Sequence, residues 1–172
     1  MKLDLGAGKN KKEGFIGVDS IAFEGVDIVH DLTQTPWPFE DNSVDEIHAS
    51  HFVEHLTAPQ RIAFVNECYR ILKDGAKCTI ITPHWASTRA YGDLTHQWPP
   101  VCEMWYYYLN KEWRAINAPH NQDYQCNFDA SWGYSMHPEL LTRTPEHQTR
   151  ALAFYKEAAQ DLHATIIKKK PE

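Results

Sequence analysis

Two glycines and two aspartates near the start of the chain have the types and spacing that suit cofactor binding. Gly6 and Gly8 follow a short apolar run that begins at Leu3. Glycines at the end of a buried strand allow a ligand to approach the bare backbone. Asp19 ends a second apolar run, and Asp31 follows a third. Because ligands of open α/β sheets bind at the carboxyl ends of the strands, we expect these residues to converge on one site.

The first half of the chain alternates between strand and helix patterns, and these elements must position the four residues. Short apolar runs predict five strands, Lys2–Leu5, Phe15–Val18, Val26–His30, Val44–Ala49 and Lys77–Thr82. Apolar residues recur every three or four positions over Pro59–Leu72, which predicts an amphipathic helix with Thr57 as its N-cap. This alternation predicts an α/β fold with a Rossmann-like, mostly parallel sheet.

The connections between the first strands are short. Gly8 and Asp19 are separated by 19 − 8 = 11 positions, whereas about twenty are expected in a dinucleotide-binding fold. A parallel crossover usually needs a dozen or more residues and holds a helix. We therefore expect shortened early crossovers and one thinly covered sheet face, which the C-terminal half or a partner subunit in a homodimer would cover. A nicotinamide cofactor is disfavoured, because its pyrophosphate relies on a helix N-terminus.

The second half of the chain has weaker periodicity, and we expect it to end in an antiparallel edge of the sheet. Its patterns predict a loop, a helix, two antiparallel strands, a second helix and a closing strand, in the order Ser87–Pro100, Val101–Lys111, Trp113–Ala118, Tyr124–Phe128, Pro145–Leu162 and His163–Lys168.

Length and composition indicate a single soluble domain. The chain has 172 residues, of which 42% are hydrophobic and 23% charged, as is typical of a globular protein. We expect one domain over residues 1–172, with a cofactor-binding half at 1–85 and a substrate or lid half at 86–172. Four cysteines without a CxxC pair and the lack of a signal-peptide pattern favour a reduced, cytoplasmic protein.

The charge balance argues against nucleic acid and membrane partners. The formal net charge is −6, whereas a protein that binds a nucleic-acid backbone needs a basic footprint. The basic cluster Lys168–Lys170 is expected to be a solvated strand end. No apolar run approaches the length of a membrane span.

Motifs of the N-terminal half occur in the order of a known family. The strings are LDLGAG at 3–8, GVD at 17–19, VHDL at 29–32, PWPFEDNSVDEIHASHFVEHL at 36–56 and RILKDGAKCTIITP at 70–83. In these strings the chain resembles the class I S-adenosylmethionine-dependent methyltransferases, and most closely their small methyltransferase type 11-like branch. The resemblance covers residues 2 to about 85 and implies a transferase that uses S-adenosyl-L-methionine.

The resemblance implies a role for each matching residue of the first two strands. Asp4, Gly6 and Gly8 would hold the methionine part of the cofactor. Asp19 would accept hydrogen bonds from both ribose hydroxyls, as a carboxylate with two oxygens can.

The next two strand ends also receive roles from the resemblance. Asp31 and Leu32 would border the adenine, with Asp31 accepting a hydrogen bond from its exocyclic amine. Ser50 and His51, just past the fourth strand, would face the sulfonium and the substrate.

Three histidines are candidates for a catalytic base. An unperturbed histidine titrates near neutral pH, which suits removal of a proton from a hydroxyl or amine acceptor. His84 follows the fifth predicted strand, and His96 lies in the loop beyond it. We expect His84 or His96 to act as the base, with His51 as a further candidate.

Two metal sites compete with this interpretation. Residues 51–55 match HxxEH, a zinc-hydrolase signature that needs a helix to bring both histidines to one face. Here it follows a strand, and Thr57, Ala58 and Pro59 come shortly after it, which leaves too little helix to present the ligands. An iron site of two histidines and one carboxylate, formed by His84, Asp93 and His96, is also conceivable. We expect no metal at either place.

The acceptor of the methyl group is expected to be a small molecule, a sugar or a peptide. No Asn/Asp-Pro-Pro-Tyr/Phe string follows the fourth strand, which disfavours methylation of DNA bases. Aromatic residues could instead line a pocket for a planar or sugar-like acceptor, namely Trp98, Trp105, Tyr106, Tyr107, Tyr108, Trp113 and Trp132. The alternative is a module that binds the cofactor or its demethylated product without transfer.

Overall fold

Seven strands form one mixed sheet in the order β3-β2-β1-β4-β5-β7-β6. The computed structural model describes residues 1–170. The strands are β1 Lys2–Leu5, β2 Ile16–Asp19, β3 Ile28–Val29, β4 Val44–Ser50, β5 Leu72–Pro83, β6 Phe128–Met136 and β7 Ala159–Lys168. Strands β1 to β5 pair in parallel, and β7 pairs antiparallel with both β5 and β6. The predicted Rossmann-like sheet with an antiparallel C-terminal edge is confirmed.

Five α-helices accompany the sheet within residues 1–170. They are α1 Ala58–Ile71, α2 Arg89–Gly92, α3 Glu103–Tyr107, α4 Lys111–Asn117 and α5 Pro145–Phe154. Helix α1 begins as predicted, because the Gln60 side chain accepts a hydrogen bond from the backbone N–H of Thr57 at 2.9 Å and Pro59 suits the first turn. No helix in the described part of the chain is long and apolar enough to cross a membrane.

The hydrophobic core lies on one face of the sheet, beneath α1. Alternate strand residues such as Leu3, Ile47 and Ile80 are fully buried against Phe64 and Ile71 of the helix. Because successive residues of a strand point to opposite faces, this alternation gives the sheet one apolar face. We call it the covered face.

The opposite face, which we call the open face, carries polar side chains. Its residues are interleaved with those of the covered face and include Glu46, His48, Thr79, His163 and Thr165, all of them half-buried. A central parallel strand is usually apolar on both sides. The pattern here is that of a sheet with one solvated face, which agrees with the expected thin cover.

The short early crossovers are confirmed within the described residues. No helix lies between β1 and β2 or between β2 and β3. The first connection is instead held by a side chain, since Asp4 Oδ2 accepts a hydrogen bond from the backbone N–H of Lys12 at 2.7 Å.

Several predicted elements of the second half are wrong. Trp113–Ala118 was expected as a strand but lies mostly in α4, because the Asn110 side chain caps the backbone N–H of Trp113 at 2.9 Å. The Ser87–Pro100 loop contains α2, and the predicted helix over Val101–Lys111 is limited to α3.

The last elements are displaced from their predicted bounds. The predicted strand Tyr124–Phe128 contributes only its last residue to β6. The predicted helix over Pro145–Leu162 ends at Phe154, and β7 begins at Ala159. The apolar spacing of this segment fits both a helix and a strand, and pairing with β5 and β6 decides between them.

Lys168 is a further correction. It was expected at a solvated strand end, but it is 4% exposed, and its ammonium group donates to the backbone oxygen of Leu72 at 2.8 Å. It also lies 4.7 Å from the centre of the Tyr69 ring. Because β7 extends to this position in register with Phe128, the side chain must point into the covered face.

Candidate active site

A cavity of about 240 Å³ lies at the carboxyl edge of β1, β2 and β3. Its lining combines glycine, carboxylate and apolar residues, namely Gly6, Asp19, Ser20, Asp31, Leu32, Thr33, Phe52, His55, Leu56 and Gln60. Four of the residues predicted to hold the cofactor therefore meet at one cavity. We call it the cofactor cavity.

Asp19 is oriented towards the glycine bend. Its Oδ2 accepts a hydrogen bond from the backbone N–H of Gly8 at 2.9 Å, and its Oδ1 accepts one from Ile21 at 3.0 Å. Each carboxylate oxygen has a second lone pair. The side chain is therefore fixed in place by the backbone and still has capacity to accept hydrogen bonds from a pair of hydroxyls.

Asp31 is held in a local turn. Its Oδ1 accepts hydrogen bonds from the hydroxyl of Thr33 at 2.7 Å and from the backbone N–H of Thr33 at 2.9 Å. These two bonds, the hydroxyl first, lower the pKa of the Asp31 carboxyl. No hydrogen bond to Oδ2 occurs within residues 1–170, so a charged acceptor remains for an amine.

Gly6 cannot be replaced without displacing a neighbouring ring. Its φ angle is +71°, a region that disfavours L side chains, and a Cβ there would lie 2.5 Å from ring atoms of Phe52. The Phe52 ring in turn packs on Phe64 of α1, with centroids 5.8 Å apart. Sequence analysis missed Phe52, although its position directly after β4 and His51 placed it at the carboxyl edge.

Four predicted cofactor residues do not line the cavity. Gly8 contributes through its bond to Asp19, while Ser50 and His51 lie at and just beyond the end of β4. Asp4 is 3% exposed, and its two oxygens accept hydrogen bonds from Lys12 and from Nδ1 of His48, the latter at 2.8 Å. Its carboxylate thus ties the first connection to the open face.

His51 is the most accessible of the three candidate bases. It has a φ angle of +54°, and its side chain is 42% exposed. Its Nδ1 lies 3.2 Å from Oε1 of Glu54. This hydrogen bond raises the pKa of the imidazole, against the opposing effect of partial burial. Nε2 makes no hydrogen bond within the described residues.

His84 is buried, and both its ring nitrogens are in use. Nε2 donates to Oε1 of Glu103 at 2.9 Å, and Nδ1 accepts from the backbone N–H of Ala86 at 3.1 Å. Burial alone would raise the pKa of Glu103, but the hydrogen bond from His84 and others lower it to about 2. The pair therefore ties α3 to the end of β5, and His84 has no free nitrogen to offer.

His96 lies in the loop between α2 and α3. Its Nδ1 is 3.2 Å from the backbone oxygen of Ala90, and its ring is 4.7 Å from that of His55. The structure therefore separates the two histidines favoured by the sequence. His84 belongs to the end of β5, whereas His96 approaches the cofactor cavity through His55.

The HxxEH string does not form the zinc-hydrolase arrangement. Val53–His55 is a single 3₁₀ turn, and His51 precedes it with a left-handed backbone. Among the described residues, the ligand atoms that lie within 4.8 Å of one another belong to Glu54, His55 and His96. The first histidine of the string is not among them.

The predicted aromatic pocket is divided between the core and the surface. Tyr106 is fully buried, Trp132 stacks on it, and Trp113 stacks on Tyr107. Trp98 is largely exposed. The remaining two residues, Trp105 and Tyr108, line a cavity of about 300 Å³ beside the start of α1.

A different set of aromatic residues lines another cavity, of about 440 Å³. Its walls include Trp85, Tyr91, Phe154 and Tyr155. Trp85 follows the carboxyl end of β5, and Tyr155 precedes the start of its antiparallel neighbour β7. The cavity therefore lies at the same edge of the sheet as the cofactor cavity. We call it the aromatic cavity, which sequence analysis missed because its residues are 70 positions apart.

Residues 3–80 match the protein family described as Methyltransferase domain. No curated protein sequence matches the chain significantly. The family match covers β1 to most of β5, which includes every residue that lines the cofactor cavity.

Solved structures share the fold over nearly the whole chain. A SAM-dependent methyltransferase from Archaeoglobus fulgidus is 23% identical, with a TM-score of 0.68 over 98% of this chain and 85% of that one. The protein bound to the Trm112 methyltransferase activator from Haloferax volcanii is 14% identical, with a TM-score of 0.58 over 99% and 82%. The [4+2]-cyclase SpnF is 14% identical, with a TM-score of 0.58 over 99% and 74%. At such identities the likeness shows the fold.

Proposed function

We propose that this chain is an S-adenosylmethionine-dependent methyltransferase, which holds the adenosine of its cofactor in the cofactor cavity and methylates a small-molecule, sugar or peptide acceptor. The observation that carries the proposal is the convergence of Gly6, Asp19, Asp31 and Leu32 on that cavity. The residues fit the cofactor. The two carboxylates can accept hydrogen bonds from the ribose hydroxyls and the exocyclic amine, and the glycine backbone allows the methionine part to approach closely.

The residues of the cavity divide the recognition between them. Asp19 accepts hydrogen bonds from the ribose hydroxyls while its bond to Gly8 keeps it oriented. Asp31 uses Oδ2 for the exocyclic amine of adenine, and Leu32 supplies an apolar wall. Phe52 covers Gly6 and excludes water from the inner end of the cavity.

When bound, S-adenosyl-L-methionine supplies a methyl group that is already activated by a positively charged sulfur. The protein therefore needs mainly to align the acceptor and to exclude water, which lowers the barrier by several kcal/mol. Ser50 ends β4 and His51 follows it, and in this proposal both face the sulfur and the acceptor. The accessible Nε2 of His51 accepts a hydrogen bond from the hydroxyl or amine of the acceptor and so orients its lone pair.

The acceptor enters through the aromatic cavity. The Trp85 and Tyr91 rings are each about half exposed, and Tyr91 is fixed by a hydrogen bond from its hydroxyl to the backbone oxygen of Trp85 at 2.7 Å. Preorganised aromatic faces suit planar or sugar-like groups. The formal net charge of −6 disfavours a nucleic acid in this place.

The same features support a proposal for the domain division, the compartment and the assembly. Residues 1–85 bind the cofactor and residues 86–172 supply the acceptor side of a single domain. Four free cysteines suit a reducing cytoplasm, since Cys68, Cys78 and Cys126 are buried without disulfides. A homodimer would cover the open face of the sheet.

Titration calorimetry with S-adenosylhomocysteine tests the cofactor site. Loss of a hydrogen bond to a charged group costs about 1.5–3 kcal/mol, so Asp19→Asn is expected to bind at least tenfold more weakly than the wild type. Asp123→Asn, at an exposed position outside the cavity, is the matched control and should bind normally. Thermal unfolding without ligand checks that Asp19→Asn is folded. Equal affinities of the wild type and a folded Asp19→Asn would rule out the site.

A screen of small-molecule, sugar and peptide acceptors, read out by release of S-adenosylhomocysteine, tests transfer. Once an acceptor is found, Trp85→Ala is expected to raise its KM, because the stacking surface is lost, while the affinity for S-adenosylhomocysteine stays unchanged. Tight cofactor binding without turnover of any acceptor would instead favour a binding module.

A further inference from the structure

A cluster of two histidines and one glutamate lies beside the cofactor cavity. The ligand atoms of Glu54, His55 and His96 are all within 4.8 Å of one another. Glu54 and His55 belong to the turn after β4, whereas His96 comes from the loop between α2 and α3. The fold thus brings His96 to residues that lie 41 and 42 positions before it in the chain.

Glu54 is the buried member of the cluster. The residue is 5% exposed, and its Oε1 is engaged by Nδ1 of His51 at 3.2 Å. Its Oε2 is buried and has no hydrogen-bond partner among the described residues. A buried carboxylate oxygen without a hydrogen-bond partner destabilises the folded state, because it has lost its hydration without a replacement. A cation at this oxygen would remove that penalty.

His55 is oriented for ligation by a hydrogen-bond chain. The hydroxyl of Thr95 donates to Oδ1 of Asp93 at 2.7 Å, so its oxygen accepts from Nδ1 of His55 at 2.9 Å. This arrangement puts the proton of a neutral imidazole on Nδ1 and leaves the lone pair on Nε2. Histidines that bind metals are held in the same manner, through a hydrogen bond from the other ring nitrogen.

His96 is oriented in the same way by the backbone. A carbonyl oxygen can only accept, so the contact of 3.2 Å between Nδ1 and the oxygen of Ala90 requires the proton on Nδ1. The closest carboxylate oxygen to Nε2 belongs to Asp93, at 4.0 Å, which is too long for a hydrogen bond. Both imidazoles therefore offer an Nε2 lone pair.

The loop that carries His96 is fixed against the turn that carries Glu54. The backbone N–H of Gln97 donates to the backbone oxygen of Glu54 at 2.8 Å. The buried guanidinium of Arg61 donates to the backbone oxygens of Gln97 at 3.0 Å and Glu54 at 3.3 Å. The three ligands are consequently held together by the backbone and do not depend on an ion to assemble.

We propose that Glu54, His55 and His96 bind one divalent first-row transition-metal ion, of which zinc is the best fit. Two imidazoles and one carboxylate form a known zinc ligand set that leaves a fourth position open. Because His55 also lines the cofactor cavity, the ion lies in its wall. The sequence string HxxEH pairs His51 with His55, and no metal was expected there. The fold replaces His51 with His96 and gives His51 a position behind Glu54.

Zinc titration of the chelator-treated protein, by calorimetry and elemental analysis, tests the site. The wild type is expected to bind one equivalent, and His55→Ala and His96→Ala are each expected to bind at least tenfold more weakly. His120→Ala and His147→Ala, outside the cluster, serve as matched controls for the ten histidines of the chain and should bind like the wild type. Thr95→Val keeps all ligands and removes the orienting bond to His55, so an intermediate loss is expected.

The folded state and the cofactor site are monitored separately. Thermal unfolding without metal shows whether each variant is folded, and the exposed position of His55 makes its variant the decisive one. Wild-type protein that binds no stoichiometric zinc, or a folded His55→Ala variant that binds it with unchanged affinity, overturns the proposal. Because binding of S-adenosylhomocysteine is measured independently, either site can fail without the other.

Discussion

The two faces of the sheet are built from the same strands yet differ in almost every property. On the covered face, Ile47, Ile80 and Ile166 are fully buried against α1 and the segments that follow it. On the open face, Glu46 and Thr165 are half-buried and polar. The comparison shows that a parallel sheet does not need two layers of helices where its strands alternate in polarity.

The comparison also shows what the connections can be. A crossover without a helix is tolerated where it has no apolar face to cover. In the connection between β1 and β2, the backbone N–H of Lys12 donates a hydrogen bond to the side chain of Asp4. The ring of Phe15 packs edge-on against His48, with 6.1 Å between the centroids. One buried carboxylate and one aromatic ring thus replace the layer that a helix would provide.

The largest expected effect is a difference in the free energy of unfolding between alanine variants of two neighbouring isoleucines of β7. Ile166 is fully buried on the covered face, whereas Ile167 is 44% exposed on the open face. Ile166→Ala is expected to lower the free energy of unfolding by about 2–5 kcal/mol. Ile167→Ala is expected to lower it by less than about 1 kcal/mol, since little apolar area is lost. Denaturant unfolding of both variants measures the difference.

Equal losses for the two variants would break the comparison and point to cover on the open face in solution. Sedimentation of the wild type then distinguishes a homodimer from a monomer. If the wild type is a dimer, and if the loss of stability caused by Ile167→Ala disappears when the dimer dissociates, the interface lies on the open face.

The next effect concerns Gly6, at the edge where the cofactor cavity meets the covered face. Gly6→Ala adds left-handed strain of about 1–2 kcal/mol and forces the Phe52 ring to move. We expect lower stability together with weaker binding of S-adenosylhomocysteine, measured by unfolding and calorimetry. Gly133→Ala is the matched control, because its φ is ordinary and a Cβ there meets no atom within 4 Å. Similar results for both variants would contradict the assigned role of Gly6.

The smallest effect is expected from the ion pairs of the open face. Glu46 lies between Lys2 at 2.8 Å and Lys77 at 3.2 Å. The hydrogen bond from Lys2 is the main cause of its lowered pKa. Its contribution is therefore present above the ordinary pKa of a glutamate and is lost as the pH falls through the lowered value. Exposed pairs contribute about 0–1 kcal/mol.

Glu46→Gln should accordingly lose less than about 1 kcal/mol at neutral pH and nothing at a pH below the lowered pKa. Unfolding at both pH values, with and without added salt, measures this. A loss as large as that of Ile166→Ala would mean that the open face is as well shielded from water as the covered face.

The carboxyl ends of the first strands could be predicted because their signals are local. A glycine pair after an apolar run, or an aspartate at a strand end, can be recognised from a few adjacent residues without knowing their tertiary contacts. The bounds of β1 and α1 were predicted to within two residues. The second half lacked such signals. The sequence pattern around Trp113 predicts a strand, whereas in the structure the side chain of Asn110 caps the backbone N–H of Trp113 and a helix forms.

The site residues follow the same division. Gly6, Asp19, Asp31 and Leu32 line the cofactor cavity as expected, because each stands next to a strand end. Phe52 was missed, since only the packing of its ring over the glycine bend gives it a role.

The amino-acid order is sufficient to specify where strands end and which of them finish in glycine or aspartate, since these are properties of a few adjacent residues. It could not specify that His96 would meet Glu54 and His55, or that Trp85 would share a cavity with Tyr155. Such contacts join residues that are 41, 42 or 70 positions apart. They exist only after the strands have paired and the buried Arg61 has tied one loop to another.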